Sequence, residues 1–142
     1  MFAMQRSSLI TRIYLLLLAV ATLNIALQAL FDPQSVMNFV SVSLDGNTTA
    51  RNSIRALYGG VNFFFGMFWI FSAFRAQRTG LILAMLYTGG FVFGRTWSVV
   101  ADGTPGAFAQ QWLVTEAVFM LLAAALFEWQ RRSKTVPSGL AY

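Results

Sequence analysis

Apolar residues fall in four long runs along this chain, separated by shorter polar breaks. The first extends from about Ile13 to Phe31, the second from about Ile54 to Phe74, the third from about Gly80 to Ala101 and the fourth from about Phe108 to Trp129. Each reaches the roughly 20 mostly apolar residues that a helix needs to cross a bilayer core. The pattern predicts an all-α fold, an integral membrane four-helix bundle. The first run stops at Asp32-Pro33, because proline cannot donate an N–H and disfavours a helical residue before it. Arg75 to Thr79 separates the second and third runs, and Asp102-Gly103-Thr104-Pro105-Gly106 the third and fourth. Connections this short make the joined helices antiparallel. Residues 1–12 read as an N-terminal flank, 13–129 as one transmembrane domain and 130–142 as a tail. Pro137 and Gly139 lead us to expect disorder after Lys134. In the longest connection, about Gln34 to Ala50, the residues Val36, Phe39, Val40 and Leu44 suggest a short amphipathic helix lying in the membrane interface. Asn47-Thr48-Thr49 also fits a glycosylation sequon, which matters only in a eukaryotic secretory pathway.

Composition supports lipid as the main solvent. Only 11% of residues are charged, against about 25% in an ordinary soluble domain. Cysteine and histidine are both absent, which excludes disulfides, thiol catalysis, the usual zinc sites and His-ligated haem. It also removes the commonest general base near neutral pH. The composition therefore points to no metal and no cofactor.

Charge adds direction. The net charge is +5, but the basic residues cluster beside apolar runs rather than forming an aromatic-interleaved stripe, so nucleic acid is not an expected partner. With four spans, the N-terminus, the second connection and the C-terminus share one side, with Arg6, Arg12, Arg75, Arg78, Arg131, Arg132 and Lys134. The other side has Arg51, Arg55, Asp32, Asp45 and Asp102. The positive-inside rule then places both termini in the cytoplasm. A rival reading makes Arg6, Arg12, Ile13 to Val20 and Ala19-Val20-Ala21 a cleavable signal peptide. Against it, the apolar run continues to Phe31, long enough to span.

Within the apolar runs, polar residues recur at helical spacing. Residues three and four apart share a helix face. Arg51, Arg55, Tyr58, Asn62, Phe65, Trp69 and Ser72 follow that rule, as do Thr88, Phe91, Arg95, Ser98 and Asp102. Asn24 and Gln28 are one turn apart in the first run, as are Trp112 and Glu116 in the fourth, with Thr115 alongside. At 1.5 Å per residue, Arg95 lies roughly 9 Å and Glu116 roughly 12 Å below the outer ends of their helices. Isolated intramembrane charges cost about 2.5–3.5 kcal/mol at a helix centre, so these two are expected to face the interior and each other. Two compatible readings follow. One is a structural ion pair that docks the third and fourth spans. The other is an outward-facing polar pocket for an anionic or amphiphilic small molecule, lined by Asn24, Gln28, Arg55, Tyr58, Asn62, Arg95, Ser98, Trp112 and Glu116.

Gly90 and Gly94 have the G-x-x-x-G spacing that lets helix backbones approach closely. Packing inside the bundle is the first expected use, and a homodimer face the alternative. Phe63, Phe64, Phe65, Phe68 and Phe71 read as packing and lipid-facing residues.

The stretch Asn52-Ser53-Ile54-Arg55-Ala56-Leu57-Tyr58-Gly59-Gly60, with Asp32-Pro33, Gly94-Arg95, Asp102-Gly103-Thr104-Pro105 and Glu116, resembles a small bacterial membrane family known as domain of unknown function 4345. The resemblance runs from about Tyr14 to Glu128 and is most specific at Arg-x-x-Tyr-Gly-Gly. It implies a four-span protein of the bacterial inner membrane with no assigned activity. The architecture is more loosely similar to DoxX-like proteins, a likeness of fold that carries no function. The residues themselves favour a non-enzymatic protein that binds a lipid or small amphiphile, with membrane lipids as partners. The alternatives are a small transporter acting as a dimer and a membrane enzyme using Glu116 as acid or base on an apolar lipid.

Overall fold

The first helix, α1 (Phe2–Phe31), is 30 residues long and stops where the sequence places the stop. The Asp32 amide still donates to the Gln28 carbonyl at 2.8 Å, and Pro33 then opens the short α2 (Pro33–Asn38). The side chain of Asn47 caps α3 (Thr48–Ile54) by accepting from the Ala50 amide. A π-helical segment (Arg55–Val61) and α4 (Asn62–Arg75) continue α3 as one rod. After a break at Ala76 come α5 (Gln77–Asp102) and, beyond the 103–106 turn, α6 (Ala107–Lys134). Gly103 ends α5 at φ +93°, a backbone angle that strongly favours glycine. The computed structural model describes the backbone of residues 2–134 and the side chains of residues 6–133.

The all-α class is the expected one, and two boundaries move. Helix α1 starts at Phe2, so most of the 1–12 flank is helical, and α6 runs to Lys134, several residues into the 130–142 tail. The segment expected to be disordered, 135–142, lies outside the described residues.

Three helical stretches are long and apolar enough to cross a membrane: Arg6–Phe31, Thr48–Arg75 and Ala107–Ser133. With large apolar side chains such as Leu17, Val20, Phe64, Phe71, Leu86 and Phe93 on its surface, the chain is a membrane protein. Helix α5 has the length, at 26 residues, but Tyr87-Thr88-Gly89-Gly90 and Arg95 dilute its apolar run.

Helix α1 packs along the π segment and α4, and α5 packs along α6; these two hairpins then meet through α1–α6 and α4–α5. The main core lies toward the end that carries both termini. Leu15 and Leu18 of α1, Trp69 and Ala73 of α4, Leu81 and Ala84 of α5, and Ala123 and Leu126 of α6 are buried there. Lipid tails are as apolar as leucine, so helices associate in a bilayer through close packing and hydrogen bonds rather than through water exclusion. Both devices are present. A Cβ on Gly66 would collide with the Leu23 side chain, and one on Gly80 would stand 2.7 Å from the Ser72 Cβ. The Tyr14 hydroxyl donates to the Phe119 carbonyl at 2.9 Å. Gln77 Nε2 donates to the Ser8 and Ala73 carbonyls, and Gln130 Nε2 to Thr11 Oγ1 and Gln77 Oε1. All four long helices are thereby joined.

At the opposite end the 34–50 connection folds back onto α1. Ala29, Val36, Met37 and Leu44 form a small second core with Ala50 and Ile54 beside it. The interfacial helix expected from Val36, Phe39, Val40 and Leu44 is therefore replaced by one ending at Asn38. Val36 and Leu44 turn inward, while Phe39 and Val40 are exposed. Phe39 stacks on Phe108 of α6 at 5.3 Å between centroids, linking the two hairpins.

Candidate functional site

Arg95 of α5 and Glu116 of α6 meet as the sequence requires. Nε donates to Oε2 at 2.7 Å and Nη2 to Oε1 at 3.1 Å. The two parallel bonds match the guanidinium fork to both carboxylate oxygens. Glu116 is buried and Arg95 half-buried. The 103–106 turn makes the helices antiparallel neighbours, which brings two residues far apart in sequence to one level. The pair neutralises the charge that each member would otherwise carry alone into a poorly solvated interior.

A second polar contact joins α4 to α5. The Tyr87 hydroxyl donates to Asn62 Oδ1 at 2.7 Å. Rings of Phe65, Trp69 and Phe91 surround Tyr87, at 5.0, 5.9 and 5.2 Å between centroids. Beside this contact a cleft of about 390 Å³ opens between the π segment and α5. Leu57, Tyr58, Val61 and Asn62 line one wall, and Tyr87, Gly90 and Phe91 the other.

The π segment explains why the expected continuous stripe is divided. Its wider i→i+5 turn puts the following helix out of register with the three-and-four spacing. Asn62, Trp69 and Ser72 are consequently buried, whereas Arg55 and Tyr58 are exposed and Gly59 takes the buried position against Leu30. Arg55 Nε donates to the Leu30 carbonyl at 3.1 Å, placing a cation at the negative, C-terminal end of α1. No sequence spacing announces a π turn. Tyr87, Leu57, Val61 and the Gly90–Phe91 wall were accordingly missing from the residues expected to line a pocket, although Gly59-Gly60 marks where the backbone is permissive.

The other expected residues do not converge. Asn24 is exposed, off the buried face of α1 formed by Thr22, Ala26 and Ala29, and Gln28 is half-buried. Ser98 donates to Asp102 Oδ2 at 3.0 Å on the exposed side of α5. Trp112 is half-buried with its ring edge-on to Phe108. The single outer pocket is therefore corrected to two separate features, the Arg95–Glu116 pair and the Asn62–Tyr87 cleft. Gly90 and Gly94 are corrected as well: added Cβ atoms would meet nothing within 4 Å, so neither packs against another helix of this chain. Close approach uses Gly59, Gly66 and Gly80 instead.

Long apolar helices, a bidentate ion pair between two of the rods and a lateral cleft beside a π turn together define an all-α membrane protein. Residues 10–127 match the family described as a domain of unknown function (DUF4345), and the chain belongs to that family. No curated protein and no solved structure matches it.

Proposed function

We propose that this is a non-enzymatic, four-span protein of the bacterial cytoplasmic membrane that takes an amphiphile into the cleft between the π segment and α5. The observation that carries the reading is the composition of that cleft. Leu57, Val61 and Phe91 offer apolar surface to a chain, while Tyr58, Asn62 and Tyr87 offer polar atoms to a head. Asn62 is bonded only through Oδ1 among the described residues, which leaves its NH2 group to a ligand. Pi turns concentrate at functional sites in proteins generally.

The assignment of α5 as the remaining span rests on the pairing of its polar groups. Arg95 is neutralised by Glu116, the Thr88 hydroxyl donates to the Ala84 carbonyl, and Tyr87 is satisfied by Asn62. Such pairing removes much of the cost of placing these groups in a membrane. Positive-inside then puts both termini in the cytoplasm. The engagement of both oxygens of the buried Glu116 by Arg95 favours a structural ion pair over an acid or base. The open face at Gly90 and Gly94 suits a second copy, and because Gly90 lines the cleft, a dimer built there would roof it.

The test is to purify the wild type and Gly90→Phe in mild detergent and compare co-purified lipids by mass spectrometry. A Cβ at Gly90 meets nothing within 4 Å and Gly90 lines the cleft, so a phenylalanine there should fill it. A species enriched in the wild type and lost from the variant is the expected result. Identical lipid profiles from two folded preparations would remove the cleft as a binding site.

A further inference from the structure

A cavity of about 690 Å³ lies at the other end of the molecule, where α4 gives way to α5 beside the first turns of α1 and the end of α6. Arg12 of α1, Arg75 at the end of α4 and Arg78 in the first turn of α5 line it, with the hydroxyl residues Ser8 and Thr79. The sequence pattern explains these arginines as topology determinants, but their surroundings ask for more. The chain has five acidic residues, and none pairs with them. Asp45 meets Arg51, Glu116 meets Arg95, and Glu128 meets Arg131 and Arg132. Asp32, between α1 and α2, and Asp102, the last residue of α5, lie at the opposite end of the rods. Arg12 Nε is fully buried without a hydrogen-bond partner among the described residues.

Two of the three guanidinium groups are held in place by rings. Arg12 lies over Phe74 at 5.1 Å and Arg78 over Phe127 at 5.0 Å. This anchoring reduces the side-chain freedom lost when a ligand binds. Helix α5 also begins here. Its N-cap, Ala76, has no side-chain cap bond, and its first turn carries no acidic residue. The first-turn N–H groups, which have no partner within the helix, and the positive end of a 26-residue helix therefore lie at the same mouth.

We infer that this cavity is a binding site for a phosphoryl group, held by Arg12, Arg75 and Arg78 and by the α5 N-terminus. Three guanidiniums that no carboxylate meets among the described residues, with flanking hydroxyls, suit a tetrahedral, multiply charged anion, and arginine's fork matches phosphate oxygens. An anionic phospholipid headgroup and a soluble phosphate ester share this chemistry. The site is independent of the cleft between the π segment and α5.

The experiment uses the full chain in neutral detergent. Native mass spectrometry measures binding of phosphatidylglycerol against phosphatidylcholine, and calorimetry measures binding of inorganic phosphate. Variants are Arg12→Gln with Arg78→Gln, and Arg132→Gln as a basic control outside the cavity. Wild type should prefer phosphatidylglycerol, and affinity should fall about fivefold for each cavity arginine removed, with the control unchanged. Saturable phosphate binding that competes with the lipid would assign a soluble ligand, whereas lipid binding alone would assign the headgroup. Should the double variant fail to fold, Thr79→Glu replaces it. That substitution places a carboxylate at the α5 N-terminus, and it should abolish binding without lowering the melting temperature. Equal binding of the two lipids with no phosphate binding would overturn the site, as would equal losses in the control and the cavity variants.

Discussion

The two ends of this molecule are held together in different ways. Toward the termini, Leu15, Trp69, Leu81 and Ala123 interlock, Gly66 and Gly80 let α1 approach α4 and α5, and glutamine bridges tie the helix ends. At the far end α5 and α6 expose Phe93, Trp97, Val100 and Val114. There, beside the small core around Ala29 and the Gly59–Leu30 approach, α5 and α6 are tied by the Arg95–Glu116 pair, and the Phe39–Phe108 stack and the Arg55 bond to Leu30 add further links. The contrast shows two routes to helix association in an apolar solvent. Small residues permit dense van der Waals contact, and where that contact is thin, polar groups find no better partner than one another.

The largest effect should come from breaking the polar route. Glu116→Ala leaves Arg95 without its partner and should cost about 3 kcal/mol, at the low end for a buried pair because Arg95 keeps some exposure. Thermal unfolding in detergent reads this directly. Replacing both members, Arg95→Leu with Glu116→Leu, should recover most of the loss, because no uncompensated charge remains. A cost for the double variant equal to that of the single one would assign the effect to volume rather than charge.

The packed route should break next. Gly66→Ala forces Leu23 aside and should cost about 2 kcal/mol by overpacking. Gly94→Ala, with open space around its Cβ, should instead gain up to about 1 kcal/mol from helix propensity. Opposite signs on the same melting assay distinguish glycines that pack from a glycine that does not. The smallest effect belongs to Tyr87→Phe, which removes one hydrogen bond to Asn62 and should cost about 1 kcal/mol.

Much of the architecture was legible in the sequence. Asp32-Pro33 fixes the end of α1, and the depth of Arg95 and Glu116 on helices joined by a tight turn brings them together. The pocket was less legible, for local reasons. A single π turn at Arg55–Val61 divides a stripe that a uniform helix would keep on one face. Asn24 shows a second limit: helical spacing assigns residues to a face but does not say which face meets a neighbour. Gly90 and Gly94 show the same ambiguity for small residues. The basic cavity was hidden by a sufficient explanation, since arginines read as topology signals need no further role until the lack of nearby carboxylates among the described residues is seen.

The most direct test of the account concerns α5, the helix that the proposed four-span reading takes across the membrane with its polar groups paired. The native chain has no cysteine, so single-cysteine variants report position without background. Thr79, in the first turn of α5, and Thr104, just past its end, are both exposed and mark its two ends as Thr79→Cys and Thr104→Cys. With a membrane-impermeant maleimide, a crossing α5 predicts labelling of Thr104→Cys in intact cells and of Thr79→Cys only after permeabilisation. Labelling of both positions from the same side would place α5 on the membrane rather than across it and would contradict the four-span account.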